Sequence, residues 1–341
     1  MHARGRWTTA LAVAALAAGG LGAGTASAAG EGRAKPKPWT FAVIGDIPYG
    51  DAQVAQFPAV VDQINADPQV ELVDHLGDIK SGSSQCTDAY FAMVRQQFNR
   101  FQDPLVHTPG DNEWTDCHRA NNGGYDPLER LDALRERFFE QPGTTMGDEV
   151  PVASQADQGY PENVSYRRAG ASFSVVHIVG SNNGMAPWTG RATLTPEQGA
   201  EVLGRTAATI EQVRDTFATA TRSRDRAVVL LTQADMFDPT VPDPKYADYY
   251  AFTPIVREIA RLSASFRGEV YLFNGDSHVY NADRPLATGS RWLDFYGVTT
   301  PADNLRRVTV DGSTAADEYL RVTVDPRGRQ AVRWTRVPFT S

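Results

Sequence analysis

The chain has 341 residues, long enough for a real core in one large domain or two small ones. It carries 33 Lys and Arg against 41 Asp and Glu, a net charge of −8, with no dense basic stripe. That balance disfavours general nucleic-acid binding and a nuclease.

Residues 1–28 begin with basic Arg4 and Arg6, run through an Ala/Leu/Val stretch and end in Ala26-Ser27-Ala28. This is the layout of a secretory signal peptide cleaved near Ala28, with an N-terminal membrane anchor as the alternative. Cleavage removes two arginines and no acid, so the expected secreted, extracytoplasmic chain has a net charge of −10. Nothing after it reaches transmembrane length, so no membrane association is expected once the signal is gone. Residues 29–38 read as a flexible lead-in. The domain is expected to span 39–341.

The first strand is the apolar run 40–45, ending in Gly45-Asp46. Phe57, Val61 and Ile64 recur at helical spacing, and Pro58 suits a first helical turn. A second strand over 70–77 ends at Gly77-Asp78. Phe91, Val94, Phe98 and Phe101 mark the next helix. A third strand over 104–110 precedes Asp111. This β-α-β-α-β order favours parallel strands with helical crossovers, whose chemistry gathers beyond the strands' carboxyl ends. Residues 118–165 read as an excursion over that edge with one helix at about 127–139. A strand from 171 leads to Asn182 and Asn183, which could reach the rim. Ile210, Val213 and Phe217 mark a helix, followed by a strand 227–232 and the loop with Gln233 and Asp235. Thr253 and Pro254 look like the N-cap and first residue of a helix. A strand 269–274 leads to Asp276 and His278, and the tail from about 305 reads as antiparallel strands.

Cys86 and Cys117 are the only cysteines. Both follow acidic loops expected to be neighbours, so a disulfide is favoured over two buried thiols. It would stabilise by roughly 3 kcal/mol through loop closure. Asn163 matches a glycosylation acceptor, relevant in a host that glycosylates. His75, His107 and His177 read as structural, and the run 246–252 as either a pocket wall or packing.

Five strand ends thus carry Asp46, Asp78, Asp111, Gln233 (with Asp235) and Asp276 with His278. Acids gathered at one edge repel, and are tolerable only if some protonate or a cation neutralises them. The motifs GDIPY (45–49), GDIK (77–80), PGDNE (109–113), LTQAD (231–235) and NGDSH (274–278) occur in an order that resembles the calcineurin-like metallophosphoesterase superfamily, which includes the purple acid phosphatases. The likeness runs from 40 to at least 280. It implies an α/β fold, a four-layer α/β/β/α sandwich of two mixed β-sheets. It also implies two divalent ions that activate a water to attack a phosphate mono- or diester, a phosphorylated small molecule or a phosphodiester.

Carried over residue by residue, the resemblance implies metal ligands at Asp46, Asp78, Asp111, Gln233, Asp276 and His278, with Asp78 bridging. Pro48 stands where the family has a ligand histidine. Asn112 stands where it has the catalytic histidine, and an amide can hold a phosphate oxygen but cannot act as a general acid. His118 is the candidate replacement, and Arg119 a candidate phosphate contact. Oxygen-rich ligands favour Mg²⁺, Mn²⁺ or Ca²⁺ over Zn²⁺ or Fe. Asp235 either ligates in place of Gln233 or starts a turn. The alternative function is a non-catalytic binding protein with a structural or degenerate cation site.

Overall fold

The computed structural model describes residues 37–340. The expected leader 1–28, its cleavage point at Ala28 and most of the lead-in lie outside the described residues.

β1 (Trp39–Ile44) is buried along its whole length. A strand covered on both faces reads as a continuous apolar run, and β1 shows why. Phe41 and Val43 enter one core while Ala42 and Ile44 enter another. The chain continues through α1 (Gly50–Asn65), β2 (Val73–His75), α2 (Asp88–Phe98), β3 (Pro104–His107), α3 (Pro127–Phe138) and β4 (Met146–Gly147). Then come β5 (Ala153–Gln155), β6 (Tyr160–Arg168), β7 (Ala171–Val175), the single left-handed turn α4 (Gly180–Asn183) and the long α5 (Pro196–Ser223). β8 (Ala227–Leu231), α6 (Thr253–Ser265), β9 (Glu269–Asn274), β10 (Asn281–Asp283) and α7 (Arg291–Tyr296) follow. β11 (Leu305–Thr309), β12 (Glu318–Val324) and β13 (Val332–Pro338) close the domain.

The strands form two mixed sheets, six strands in the order β13-β12-β1-β2-β3-β4 and seven in the order β10-β11-β9-β8-β7-β6-β5. β1, β2 and β3 are mutually parallel, as are β7, β8, β9 and β11. Phe41, Val43 and Leu320 of the first sheet meet Phe173, Val229 and Phe273 of the second in a central core. Phe57, Val61, Phe91 and Leu131 cover the outer face of the first sheet. Val213, Phe217, Ile255 and Ile259 cover that of the second. The result is the four-layer α/β/β/α sandwich.

Several local expectations are corrected. β2 is three residues, not 70–77, because only Val73–His75 pair with strands on both sides. α1 begins at Gly50, so Pro58 lies inside the helix rather than in its first turn. The bond it forfeits is outweighed by burial of Phe57, Val61 and Ile64 on the inner face. Thr253 is the first helical residue of α6 and caps nothing, since its hydroxyl meets that of Tyr246 at 3.0 Å. Phe101 is buried but lies past the end of α2. Asn163 is fully buried, donates to Gln155 and accepts from the His177 N–H, so a glycan has no access to it in the fold.

Candidate metal centre

The parallel strands of both sheets end at one edge, and the turns beyond them bend sharply. Asp46 (φ 53°), Asp78 (φ 54°), Asp276 (φ 75°) and His278 (φ 61°) all adopt left-handed backbone. For residues with a Cβ this costs on the order of 1 kcal/mol or more each. Glycines make room for the acids of this edge, Gly275 and Gly312 beside Asp46 among them. A Cβ on Gly110 would collide with Asp78 Oδ1, and one on Gly180 would lie 2.6 Å from Asp111 Oδ2 and 2.8 Å from Asp276 Oδ1.

The turns bring together Asp46, Asp78, Asp111, Asp276 and His278. Asp46, Asp78 and His278 each offer a ligand atom, and these atoms lie within 4.8 Å of one another. Asp78, Asp111 and Asp276 form a second such group. Asp78 belongs to both. Asp46 and Asp78 are buried and Asp111 is 7% exposed, while Asp276 and His278 are half-buried at the mouth. Burial pushes the Asp78 carboxyl well above the ordinary range, and the charges of Asp111, Glu113, Asp46 and Asp276 push it further. Burial likewise raises Asp46 and Asp276, with Asp111 adding to both. Burial lowers the His278 pKa, favouring the neutral imidazole that can ligate. A buried set of carboxylates with one imidazole fits a hard divalent cation, which would remove the charge that burial penalises.

A second ring of residues holds these groups, and most of it escaped the sequence reading. The Tyr49 hydroxyl donates to Asp78 Oδ2 at 2.8 Å and lies 3.4 Å from His278 Nε2. The Asn112 amide nitrogen donates to the same Oδ2 at 2.7 Å and to the Tyr49 oxygen at 2.6 Å, and the Asn112 N–H donates to Asp78 Oδ1 at 3.1 Å. Glu113 Oε1 accepts from the N–H groups of Gly110 (2.6 Å) and Asp78 (3.1 Å), tying two loops together. Buried Lys80 donates to the Asn112 carbonyl at 2.6 Å. Burial raises Glu113 to about 7 and lowers Lys80 to about 8. The Ser181 hydroxyl lies 3.0 Å from Asp111 Oδ2 and 2.8 Å from Asp116 Oδ1. Tyr49 had a signal, since it closes the first motif three residues after Asp46. Ser181 had none, because α4 resembles an ordinary polar loop.

Other candidates are placed differently. Gln233 turns its oxygen to the Gly180 N–H at 2.7 Å and its nitrogen to Asp111 Oδ1 at 3.1 Å. Reversing the amide would oppose two donors at Gly180, so in the metal-free chain Gln233 braces Asp111 through its nitrogen. Asp235 is ion-paired with Arg307 and accepts from Ser277, which leaves it a structural acid. His118 Nδ1 accepts from the Thr189 N–H at 2.9 Å and lies 2.8 Å from the Thr189 hydroxyl. The ring is thereby held to the 189 loop rather than to the carboxylates. Arg119 pairs with Asp116 at 2.7 Å and stands 3.5 Å from Ser181 Oγ, at the rim. Cys86 and Cys117 form a disulfide with Cα atoms 5.9 Å apart, beneath the Asn112 carbonyl. Asn183 is buried against Arg205, whereas Asn182 faces a cleft. His75 and His107, the last residues of β2 and β3, lie in aromatic packing, and His177 Nδ1 donates to the Glu162 carboxylate at 2.9 Å.

That cleft, of about 760 Å³, opens from Gly180, Ser181 and Asp276. Tyr249, Tyr250 and Phe252 form its aromatic wall, so part of the 246–252 run does line a cavity. Asp238 and Asp248 also line it, and no Lys or Arg does among the described residues.

No protein-family model matches the chain, and no curated protein matches it in sequence. Several solved structures are similar in chain trace. One is the anchor in the inner membrane complex of Plasmodium (8% identity, TM-score 0.43, covering 89% of this chain and 90% of that one). Another is a purple acid phosphatase from yellow lupin (10%, TM-score 0.47, 88% and 52%). A third is a 5'-nucleotidase precursor from Thermus thermophilus (12%, TM-score 0.42, 89% and 55%). The chain spans about half the length of the latter two. Likenesses of this size carry no inference about residues or substrates.

Proposed function

We propose that the chain is a secreted, metal-dependent phosphoester hydrolase acting on a small phosphate mono- or diester. It would hold two divalent cations, one among Asp46, Asp78 and His278, the other among Asp78, Asp111 and Asp276. The observation that carries this reading is the shared Asp78: one buried carboxylate common to two ligand groups suits a bridge between neighbouring cations. The oxygen-rich set favours Mg²⁺, Mn²⁺ or Ca²⁺. Bound cations would supply charge for the phosphoryl oxygens and a nucleophilic water at neutral pH.

The chain's own residues do the rest. The Asn112 amide, which donates to Asp78 and to Tyr49 in the metal-free chain, would donate to a phosphoryl oxygen once a cation engages Asp78. In the metal-free chain burial, then the charges of Asp78 and Asp46, raise the Tyr49 pKa and keep its hydroxyl protonated. That hydroxyl, rather than His118, would give the proton to a leaving oxygen, once a cation draws Asp78 from the bond it now accepts from Tyr49. Arg119 contributes positive charge at the rim. The aromatic cleft accepts the organic part of the ester, and its acids disfavour substrates with further negative charge.

The test measures the metal content of the purified chain. Hydrolysis of aryl phosphate mono- and diesters is then followed with Mg²⁺, Mn²⁺, Ca²⁺ and Zn²⁺. Asp78→Ala should abolish turnover. Folded, metal-loaded protein that turns over none of these esters would sink the enzyme reading.

One observation favours a non-catalytic binding protein with a structural or degenerate cation site. Asp78 Oδ2 already accepts from both Tyr49 and Asn112, as a carboxylate satisfied by the protein would. The same assay separates the readings, since that protein shows no turnover with any of the metals, whether or not it binds them.

A further inference from the structure

The metal centre lies beyond the carboxyl ends of β8 and β9. A second cleft, of about 950 Å³, opens at the other ends of these strands. Five residues at about 3.3 Å each put roughly 17 Å of strand between the two sites. Five arginines line it: Arg224, Arg226, Arg267, Arg284 and Arg306. This is a concentrated positive surface on a chain of net charge −8.

None of the five makes an ion pair among the described residues. Two acids also line the cleft, and both are engaged elsewhere. Asp225 takes a two-pronged contact from Arg167 and a hydrogen bond from Ser172. Glu269 Oε2 accepts from the Ala331 N–H and the Tyr271 hydroxyl. α5 and α6 end here, and the negative ends of their dipoles attract cations. Each end amounts to roughly half a charge, so the two offset about one arginine of five.

The backbone also gathers like charges here. Asp283 of β10 is opposite Arg307 of β11, and Arg284 follows directly where that pairing ends, with Arg306 preceding Arg307 in β11. Like charges lining one cleft repel unless something neutralises them. The walls are fixed. Arg226 donates to the Gly328 carbonyl at 2.7 Å, and the Asn304 amide donates to the carbonyls of Ser263, Phe266 and Gly268.

We propose that this cleft binds a multivalent anion, a small ligand bearing two or more phosphate or sulfate groups. Guanidinium forks match such groups two oxygens at a time, and several forks on one wall suit several groups on one ligand. The cleft is far larger than a single phosphate requires. The site is independent of the metal centre and of any catalysis there.

The test is calorimetric titration of the purified chain with tripolyphosphate and, separately, with orthophosphate. EDTA is present, at about 50 mM and about 300 mM salt. Saturable binding of tripolyphosphate is expected, weaker at the higher salt and about tenfold or more tighter than orthophosphate. Arg267→Ser/Arg284→Ser changes two exposed side chains, and thermal melts confirm that it folds. It should bind about tenfold or more weakly, while Asp276→Asn in the metal centre binds as the wild type does. The proposal is overturned by no saturable binding, by equal affinity for orthophosphate, by undiminished binding in the double variant, or by loss in Asp276→Asn.

Discussion

Asp276→Asn should make the metal-free protein more stable while disabling its site. In the wild type, Asp276 faces Asp78 and Asp111 with ligand oxygens within 4.8 Å. Unit charges at that separation repel by about 3 kcal/mol per pair at an effective dielectric constant of about 20. Partial exposure of Asp276 and proton sharing among the acids reduce this to a net of about 2 kcal/mol. The amide fits the existing hydrogen bonds. Its oxygen can keep accepting from the Asp235 N–H, which now donates to Asp276 Oδ2 at 3.1 Å. Its NH₂ would then face the neighbouring carboxylates as a donor. The sign with pH follows from the raised carboxyl: above its ordinary value of 3.8 the folded chain holds protons that the unfolded chain has released. Metal-free wild type therefore loses stability as pH rises, and the advantage of Asp276→Asn grows from near zero at pH 4 towards neutrality. Thermal melts in EDTA at pH 7.5 should show a rise of roughly 4 °C over wild type. Added Mn²⁺ or Mg²⁺ should raise the wild-type melting temperature by mass action and the variant's much less. Destabilisation of metal-free Asp276→Asn, or a metal-induced rise equal to wild type's, would refute the reasoning.

Tyr49→Phe should lower kcat on an aryl phosphate by about a hundredfold with little change in KM, if its hydroxyl donates the proton. His118→Ala should leave kcat within about twofold, because the ring is held by Thr189 away from the carboxylates. Gly110→Ala should abolish metal-induced stabilisation in thermal melts, since its methyl would displace Asp78. Cys86→Ser/Cys117→Ser opens a loop of sequence separation 31 and should cost about 3–4 kcal/mol in denaturant melts.

The strand-end acids were legible because apolar runs announce strands and Gly-Asp announces the turns that end them. Alternating parallel connections then force those turns to one edge. What stayed hidden depends on partners distant in sequence. β6 carries Glu162 and Asn163, consecutive and both buried, where no apolar pattern marks them. Their partners Arg135, His177 and Gln155 come from other elements. The orientation of Gln233 is decided by the Gly180 N–H, 53 residues away. His118 lies next to a cysteine of the candidate loop, but Thr189, 71 residues on, determines which way its ring turns. In each case the residue type was readable and its direction was not.

Both functional readings share one requirement. Asp46, Asp78, Asp276 and His278 hold left-handed backbone, as do Ser181, Asn182 and Asn183 in the turn beside them. Such conformations cost on the order of 1–3 kcal/mol each and persist only where the surroundings impose them. Here they point acids at one another, so the backbone cost and the repulsion fall on the same few residues. Apolar packing explains the sandwich but not this edge, which a less acidic set of turns would close more cheaply. A cation offsets both terms at once, whether or not turnover follows. Metal content therefore tests cation binding separately from turnover. Catalysis rests on the narrower question of whether Asn112 and Tyr49, now satisfied by Asp78, are released to a substrate once a cation engages that carboxylate.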